Sequence, residues 1–379
     1  MVNIGKLGRY DPALEPARKE LGAAASPRRG DTDGKHCLPP HRTRRSRSSP
    51  LAGANTIWTS LGEPSPYLRF SVRHDYTPLL TSSIRLRAFA KINLGLKVRG
   101  LRPDGYHEIF TIYQTIALHD RLTISLLKRG QGVLLQCDDR SIPAGRENLV
   151  HRACELWRRA RRFGGGIRIN LEKKIPAGSG LGGASSDAAA TLLGLERLTG
   201  NRMDFATRLD LAARLGSDVP LFLWGGRVLG GGRGEEVYPL GDLARRQCLV
   251  VFPSFPVSTA EAYRDLDLNR NIQLTKSHKG SSIRSLGAWP QFPLESWGPA
   301  ENDFERVVFA RWPVLARLKR QLIQAGAETA SLSGSGSAVY AVFDSAQQLV
   351  RALKLIPAGW QCFRTRTLSR GEYERLIFY

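Results

Sequence analysis

Three stretches of the chain combine residue types suited to phosphate chemistry. Ile175-Pro176-Ala177-Gly178-Ser179-Gly180-Leu181-Gly182-Gly183-Ala184-Ser185-Ser186-Asp187 runs straight into the Ala-rich segment Ala188-Ala189-Ala190. Glycines let backbone N–H groups converge, and a helix starting there adds partial positive charge, so the junction suits a phosphate chain. Its hydroxyls, Ser185 and Ser186, are placed to cap the helix or to reach a phosphate-bound Mg²⁺. The bland reading is a capped tight turn without a ligand. The second stretch, Ser333-Gly334-Ser335-Gly336-Ser337, lies between two apolar runs. Alone it is a tight turn; paired with the first loop it would close over the same phosphates. The third, Gly216-Ser217-Asp218-Val219-Pro220, sets one acid ahead of an apolar run. Asp218 is either a helix N-cap with proline in the first turn, or, facing the glycine loop and Lys91, a general base for an attacking hydroxyl.

The glycine run formally satisfies G-x-G-x-x-G, but its context excludes a dinucleotide fold. Lys173-Lys174-Ile175-Pro176 separate it from the preceding strand, whereas that fingerprint starts directly after one. No G-x-x-x-x-G-K-[ST] occurs, so there is no P-loop.

These segments need elements to hold them. From Arg85 to Arg99 apolar residues alternate: Leu86, Ala88, Ala90, Ile92, Leu94, Leu96 and Val98. That period of two predicts a half-buried strand with Lys91 and Asn93 adjacent on the other face, roughly 6–7 Å apart. Further strands are expected at 109–117, 121–127, 131–137, 167–171, 247–253, 329–333, 338–343 and 361–368. Helices are expected at 147–162, at 185–198 stopped by Gly200, at 301–325 and at 345–356. A Gly-rich stretch at 225–234 and an irregular loop at about 270–299 complete the pattern, which is that of an α+β chain.

Composition narrows the class. The chain has 379 residues and a net charge of +22. Residues 1–84 hold 13 basic against 7 acidic residues and 9 of the 21 prolines, leaving 43 basic against 27 acidic for the remainder. With no apolar periodicity, 1–84 is expected to be a disordered basic extension, and the rest is basic in its own right. Such a surface either binds nucleic acid, with residues 28–47 as the arm, or steers a phosphorylated substrate. Five scattered cysteines without a C-x-x-C pair predict neither a disulfide framework nor a zinc site, and a reducing cytoplasm. Without an apolar run long enough to span a bilayer or serve as a signal sequence, neither membrane insertion nor export is expected.

Jointly, and in order, Ala90-Lys91-Ile92-Asn93-Leu94, the Pro176-to-Ala188 loop and Leu332-Ser333-Gly334-Ser335-Gly336 resemble the GHMP kinase superfamily over about 85–379. Arg102-Pro103-Asp104-Gly105-Tyr106-His107-Glu108, with Glu147-Asn148-Leu149 and Glu301-Asn302-Asp303, is similar to a branch acting on a cytidine diphosphate polyol. The resemblance implies a two-domain kinase: a ribosomal-S5-like N-terminal domain (85–243) with the ATP loop, a ferredoxin-like C-terminal domain (244–379), and a site in the cleft between them. It implies ATP-dependent phosphorylation of the 2-hydroxyl of 4-diphosphocytidyl-2-C-methyl-D-erythritol in non-mevalonate isoprenoid precursor synthesis, with Mg²⁺ accompanying ATP. Asp218 would take the hydroxyl proton and Lys91 would hold Asp218 ionised. Asn93 would contact the erythritol moiety; Tyr106 and Tyr263 would sandwich cytosine, with His107 at its edge and Thr259 nearby. For ATP, Pro176, Ala177, Gly178, Ser179, Gly180, Leu181, Gly182, Gly183, Ala184, Ser185 and Ser186 would wrap the phosphates, with Lys173, Asn148 and Leu149 near the adenine. Homoserine or mevalonate kinase activity is the alternative within the superfamily.

Overall fold

The computed structural model describes residues 83–270 and 300–379. The basic extension, apart from Ser83 and Ile84, and the irregular loop at about 270–299, apart from Arg270, lie outside the described residues.

The alternating segment forms β1 (Ser83–Leu101), which begins two residues ahead of Arg85 and pairs antiparallel with β2 (His107–Arg129). The two expected strands at 109–117 and 121–127 are one, because Leu118-His119-Asp120 contains neither Gly nor Pro to interrupt the ladder. β3 (Val133–Cys137), α1 (Leu149–Ala160), β4 (Gly165–Glu172), α2 (Gly183–Thr199) and α3 (Phe205–Leu215) follow. A 3₁₀ turn at Pro220–Leu223 then leads to β5 (Arg227–Gly231) and β6 (Glu236–Pro239). The sheet order is β3-β4-β2-β5-β6 with β1 on β2; only β3 and β4 are parallel.

The second sheet, β10-β7-β9-β8, is antiparallel throughout. It is built from β7 (Gln247–Phe252), β8 (Thr329–Leu332), β9 (Val339–Phe343) and β10 (Gln361–Arg366). With it go α4 (Thr259–Arg270), α5 (Glu305–Arg311), α6 (Pro313–Gln324) and α7 (Ala346–Leu353), and α8 (Arg370–Leu376) follows β10. The helix expected at 301–325 is split: Pro313 lacks an N–H and takes the first position of α6, so α5 stops at Arg311. Short α3, α4 and α8, and the hairpin β5–β6 hidden in the Gly-rich stretch, have no matching expectation; their apolar patterns are too short to register.

α2 is buried on nearly every side, the signature of a helix sunk in a core rather than laid on one. Leu192 and Leu195 pack with Leu86, Ile124, Ile169 and Trp157 under the first sheet. Gly200, left-handed at φ 67°, ends the helix as its position predicts. A second core joins Leu249, Leu318, Val339 and Phe343, and it also takes Leu96 and Val98 from β1. A third cluster sets Ala90, Ile92 and Ile116 against Val250, Tyr340 and Val342. The β1–β2 hairpin therefore belongs to both sheets' cores. At the other end of the chain α8 returns to the first core, where the Tyr373 hydroxyl donates to the carbonyl of Phe222 at 2.6 Å.

Trp157 is fully buried in the first core. Trp157→Ala should lower unfolding free energy by about 3–5 kcal/mol, read by urea denaturation; a change under about 1 kcal/mol, the range of ordinary surface substitutions, would mean the site collapses around the loss.

Candidate active site

Register shifts in the β1–β2 ladder fall between Phe89 and Lys91 and between Asn93 and Gly95. Such bulges re-aim a strand's side chains and free its backbone. The Lys91 N–H donates to the Leu181 carbonyl at 2.9 Å, tying the strand to the glycine loop. The half-buried strand expected from alternation is covered on both faces here, with Lys91 only 3% and Asn93 1% exposed.

A buried ammonium is costly unless partnered. Lys91 Nζ donates to Asn93 Oδ1 at 2.7 Å and lies 3.5 Å from Asp218 Oδ2. Burial lowers the Lys91 pKa from its ordinary 10.5, and Asp218 only partly restores it. Asp218 is not a cap: the 3₁₀ turn starts after Val219 without a side-chain cap, and the Asp218 carboxylate accepts from the Tyr113 hydroxyl at 3.1 Å. Burial, reinforced by Asp218, holds the Tyr113 phenol well above its usual pKa, so it remains a donor. Asn93 is engaged by partners within the protein. Its Oδ1 accepts from both Lys91 and the Gly334 N–H (2.7 Å), and its Nδ2 donates to Thr111 Oγ1 at 2.7 Å. Those bonds make it the support that orients Lys91.

The glycine loop and its following helix wall a cavity of about 340 Å³. Residues Pro176 to Ser185, Lys173, Asn148 and Leu149 all line it. Ser186 does not; its Oγ is buried without a partner. Neither serine caps α2, which starts at Gly183 behind a left-handed Gly182. Asn148 caps α1, accepting from the Val150 N–H at 2.8 Å. Lys173 is not a free cation near a base. It donates to Asp120 Oδ2 (2.5 Å) and Asp187 Oδ2 (2.7 Å), while Asp120 Oδ1 accepts from the N–H groups of Lys174 and Ile175. Burial acts to lower the Lys173 pKa, but the pull of Asp187 and Asp120 wins and raises it. Burial also pushes the Asp187 carboxyl up to about 8. This cluster clamps both ends of the loop, the entry at 173–175 and the first turn of α2.

A second cavity, of about 660 Å³, contains Lys91, Asn93, Asp218, Tyr106, His107, Thr259 and Tyr263 together. Gly180 and Gly182 line both cavities, so the two meet at the glycine loop. The Ser333–Ser337 loop closes on it there: Ser333 Oγ donates to the Gly180 carbonyl at 2.9 Å, and the Ala338 N–H to that of Ser179 at 3.1 Å. Gly334 and Ser335 line the second cavity, not the first, so this loop covers the Lys91 side rather than the expected phosphate side. Asn302 Nδ2 holds it by donating to the carbonyls of Leu332 (3.0 Å) and Gly334 (2.8 Å).

Tyr106, His107 and Tyr263 all line the second cavity. His107 stacks on Tyr263 with centroids 4.6 Å apart, and its Nε2 lies 2.8 Å from Asp267 Oδ1. Tyr106 is 54% exposed beneath the Arg233 guanidinium, 4.6 Å from its ring centroid. Thr259 Oγ1 is 2.9 Å from Ser335 Oγ. Tyr113, Arg233 and Asp267 were invisible as site residues because isolated residues carry no spacing signal, and Asp187, at the end of the glycine loop, shows its bond to Lys173 only in the fold.

Two family models match the chain: GHMP kinases N terminal domain over residues 148–226 and GHMP kinases C terminal over 293–356. The 4-diphosphocytidyl-2-C-methyl-D-erythritol kinase of Solibacter usitatus is 44% identical over 299 residues, which is 78% of this chain and 92% of that protein. A protein of the same name from a Synechococcus species is 40% identical over 280 residues, 70% of this chain and 87% of its own. A crystal structure of a 4-(cytidine 5'-diphospho)-2C-methyl-D-erythritol kinase aligns with TM-score 0.59 at 33% identity, covering 75% of this chain and 99% of that one. The homoserine kinase of Cytophaga hutchinsonii, 20% identical with TM-score 0.57 over 78% of this chain and 97% of its own, shares the fold.

Two expectations follow from this geometry. A Cβ on Gly180, which has φ +79°, would stand 1.9 Å from the Ser333 carbonyl oxygen. Gly180→Ala should therefore part the two loops and lower kcat/KM by about 100-fold or more; unchanged turnover would mean that this contact does not set the site. The Lys91 charge is present below its lowered pKa and lost as pH rises through it. The kcat profile should then show an alkaline limb below 10.5, and a limb at or above that value would separate turnover from the Lys91 charge.

Proposed function

This chain belongs to the GHMP kinases, among the 4-diphosphocytidyl-2-C-methyl-D-erythritol kinases of the non-mevalonate isoprenoid pathway, and from that membership we propose how its own residues move the phosphoryl group. ATP occupies the cavity along Pro176–Ser185, and the acceptor occupies the cavity holding Lys91 and Asp218. The observation that carries this reading is the Lys91–Asp218 pair at 3.5 Å, in the cavity that meets the other one at Gly180 and Gly182.

Asp218 takes the proton of the acceptor 2-hydroxyl as that oxygen attacks the γ-phosphorus, the new O–P bond forms and ADP leaves. Lys91 orients the carboxylate and balances its charge, and Tyr113 fixes it from the other side. The convergent N–H groups of the glycine loop and the start of α2 meet charge on the phosphates. Phosphoryl transfer asks for positioning and charge stabilisation above all. Tyr106, His107 and Tyr263 form the aromatic wall for cytosine, where flat rings give a large contact at small entropic cost. Ser185, lining the ATP cavity, suits a hard cation that keeps most of its waters. Mg²⁺ entering with ATP would offset phosphate charge there.

The division into domains at 85–243 and 244–379 is proposed on the two sheets; the β1–β2 hairpin and α8 pack across it. A reducing cytoplasm is the proposed compartment, supported by the free thiols Cys137, Cys154, Cys248 and Cys362. Among the described residues no helix is long and apolar enough to cross a membrane.

ATP consumption by the full chain, with 4-diphosphocytidyl-2-C-methyl-D-erythritol, homoserine and mevalonate offered separately, should occur with the first alone. Asp218→Asn should cut kcat by roughly 10²–10⁴ while ATP binding is kept; near-normal turnover would remove Asp218 as the base, and turnover with another acceptor would overturn the assignment of the second cavity.

A further inference from the structure

α1 turns Val150, Ala153, Cys154 and Trp157 into the core. Its remaining face lines a third cavity, of about 530 Å³, which shares no residue with the two at the glycine loop. Four arginines converge on it: Arg152 and Arg159 from α1, Arg146 from the segment before α1, and Arg214 from the last turn of α3. One carboxylate, Glu155, lines it as well, and that group already accepts from Arg158 at 3.0 Å. Arg214 is 3.8 Å from Asp210. Among the described residues no ion pair or side-chain hydrogen bond engages Arg146, Arg152 or Arg159.

His151 adds a second, independent observation. It lines the same cavity, and its Nδ1 is buried with no hydrogen-bond partner. The His151 ring thus presents a nitrogen that no group among the described residues satisfies, beside guanidinium groups without a partner there. Arg146, Arg152, Arg159 and Arg214 are exposed, so water screens their repulsion, and an entering anion would meet four guanidinium groups at once. Guanidinium forks match phosphate oxygens in a bidentate way, and the cavity is larger than a lone phosphate requires. Its concave form suits a small molecule rather than a nucleic-acid duplex, which needs a long open stripe.

We propose that this cavity is a second anion site, binding a phosphorylated small molecule through its phosphate or diphosphate group. The site is independent of the catalytic reading above, since its residues take no part in the chemistry assigned there.

Inorganic pyrophosphate is the probe, titrated calorimetrically into the full chain without nucleotide. The wild type should bind it, and Arg152→Gln/Arg159→Gln should weaken or delete a binding event by about tenfold or more. A control, Arg306→Gln/Arg351→Gln, removes the same charge from exposed positions elsewhere and should stay within about twofold. Thermal melting checks the fold of both. If the α1 double variant melts early, Arg146→Gln, outside the helix, replaces it and should shift binding in the same direction. Equal weakening in both double variants would mean general surface charge, and binding unchanged in the α1 variant would mean that pyrophosphate sits in the glycine loop. Either result, or no binding to the wild type at millimolar probe, overturns the proposal.

Discussion

An ammonium group removed from water must be given partners, and the arrangement around Lys91 is what that requirement produces. Asn93 Oδ1, two residues along the same strand, and the Asp218 carboxylate, distant in sequence, meet the charge. Asn93 also takes the Gly334 N–H, and the Tyr340 hydroxyl donates to the Asn93 backbone carbonyl at 2.7 Å. Satisfying one cation thus fastens the centre of β1 to the second sheet and its loop. The two bulges flanking Lys91 and Asn93 release the strand from its ladder where those contacts are made.

The glycine-loop side follows the same logic with the charges reversed. Asp120 and Asp187 are buried carboxylates, and Lys173 stands between them. Breaking a buried pair by removing one partner costs roughly 3–5 kcal/mol, far more than the pair contributes net, so such groups hold position better than they add stability. Here the position held is the base of the glycine loop. The loop itself can then consist of residues chosen for backbone reach, since its ends are fixed by other means.

Between these two sets of charges the glycines act as spacers of minimal thickness. Gly182 sits with φ +73°, and a Cβ there would meet Lys91 Cγ and the Phe222 ring at 3.0 Å. Only a backbone without side chains lets the two cavities share a wall, which is the condition for a phosphoryl group to pass between them. The surplus of positive charge on the folded part favours the approach of anionic substrates without choosing among them.

Much of this was readable from residues alone. The period-two run around Lys91 and Asn93, the loop from Pro176 to Ser185, and the stop at Gly200 are local signals, because strand alternation, glycine density and helix termination act over a few neighbours. The order of the three loops carried the resemblance to the kinase superfamily. What the chain's local pattern did not contain is who faces whom. Asp218 as cap or base, Asn93 as ligand or support, Lys173 as a free cation or a clamp, and the side covered by the Ser333–Ser337 loop all turn on contacts between residues 14 to 241 positions apart. Those contacts exist only once burial makes unpartnered charges too costly to leave alone, and burial is a property of the packed fold, not of any segment.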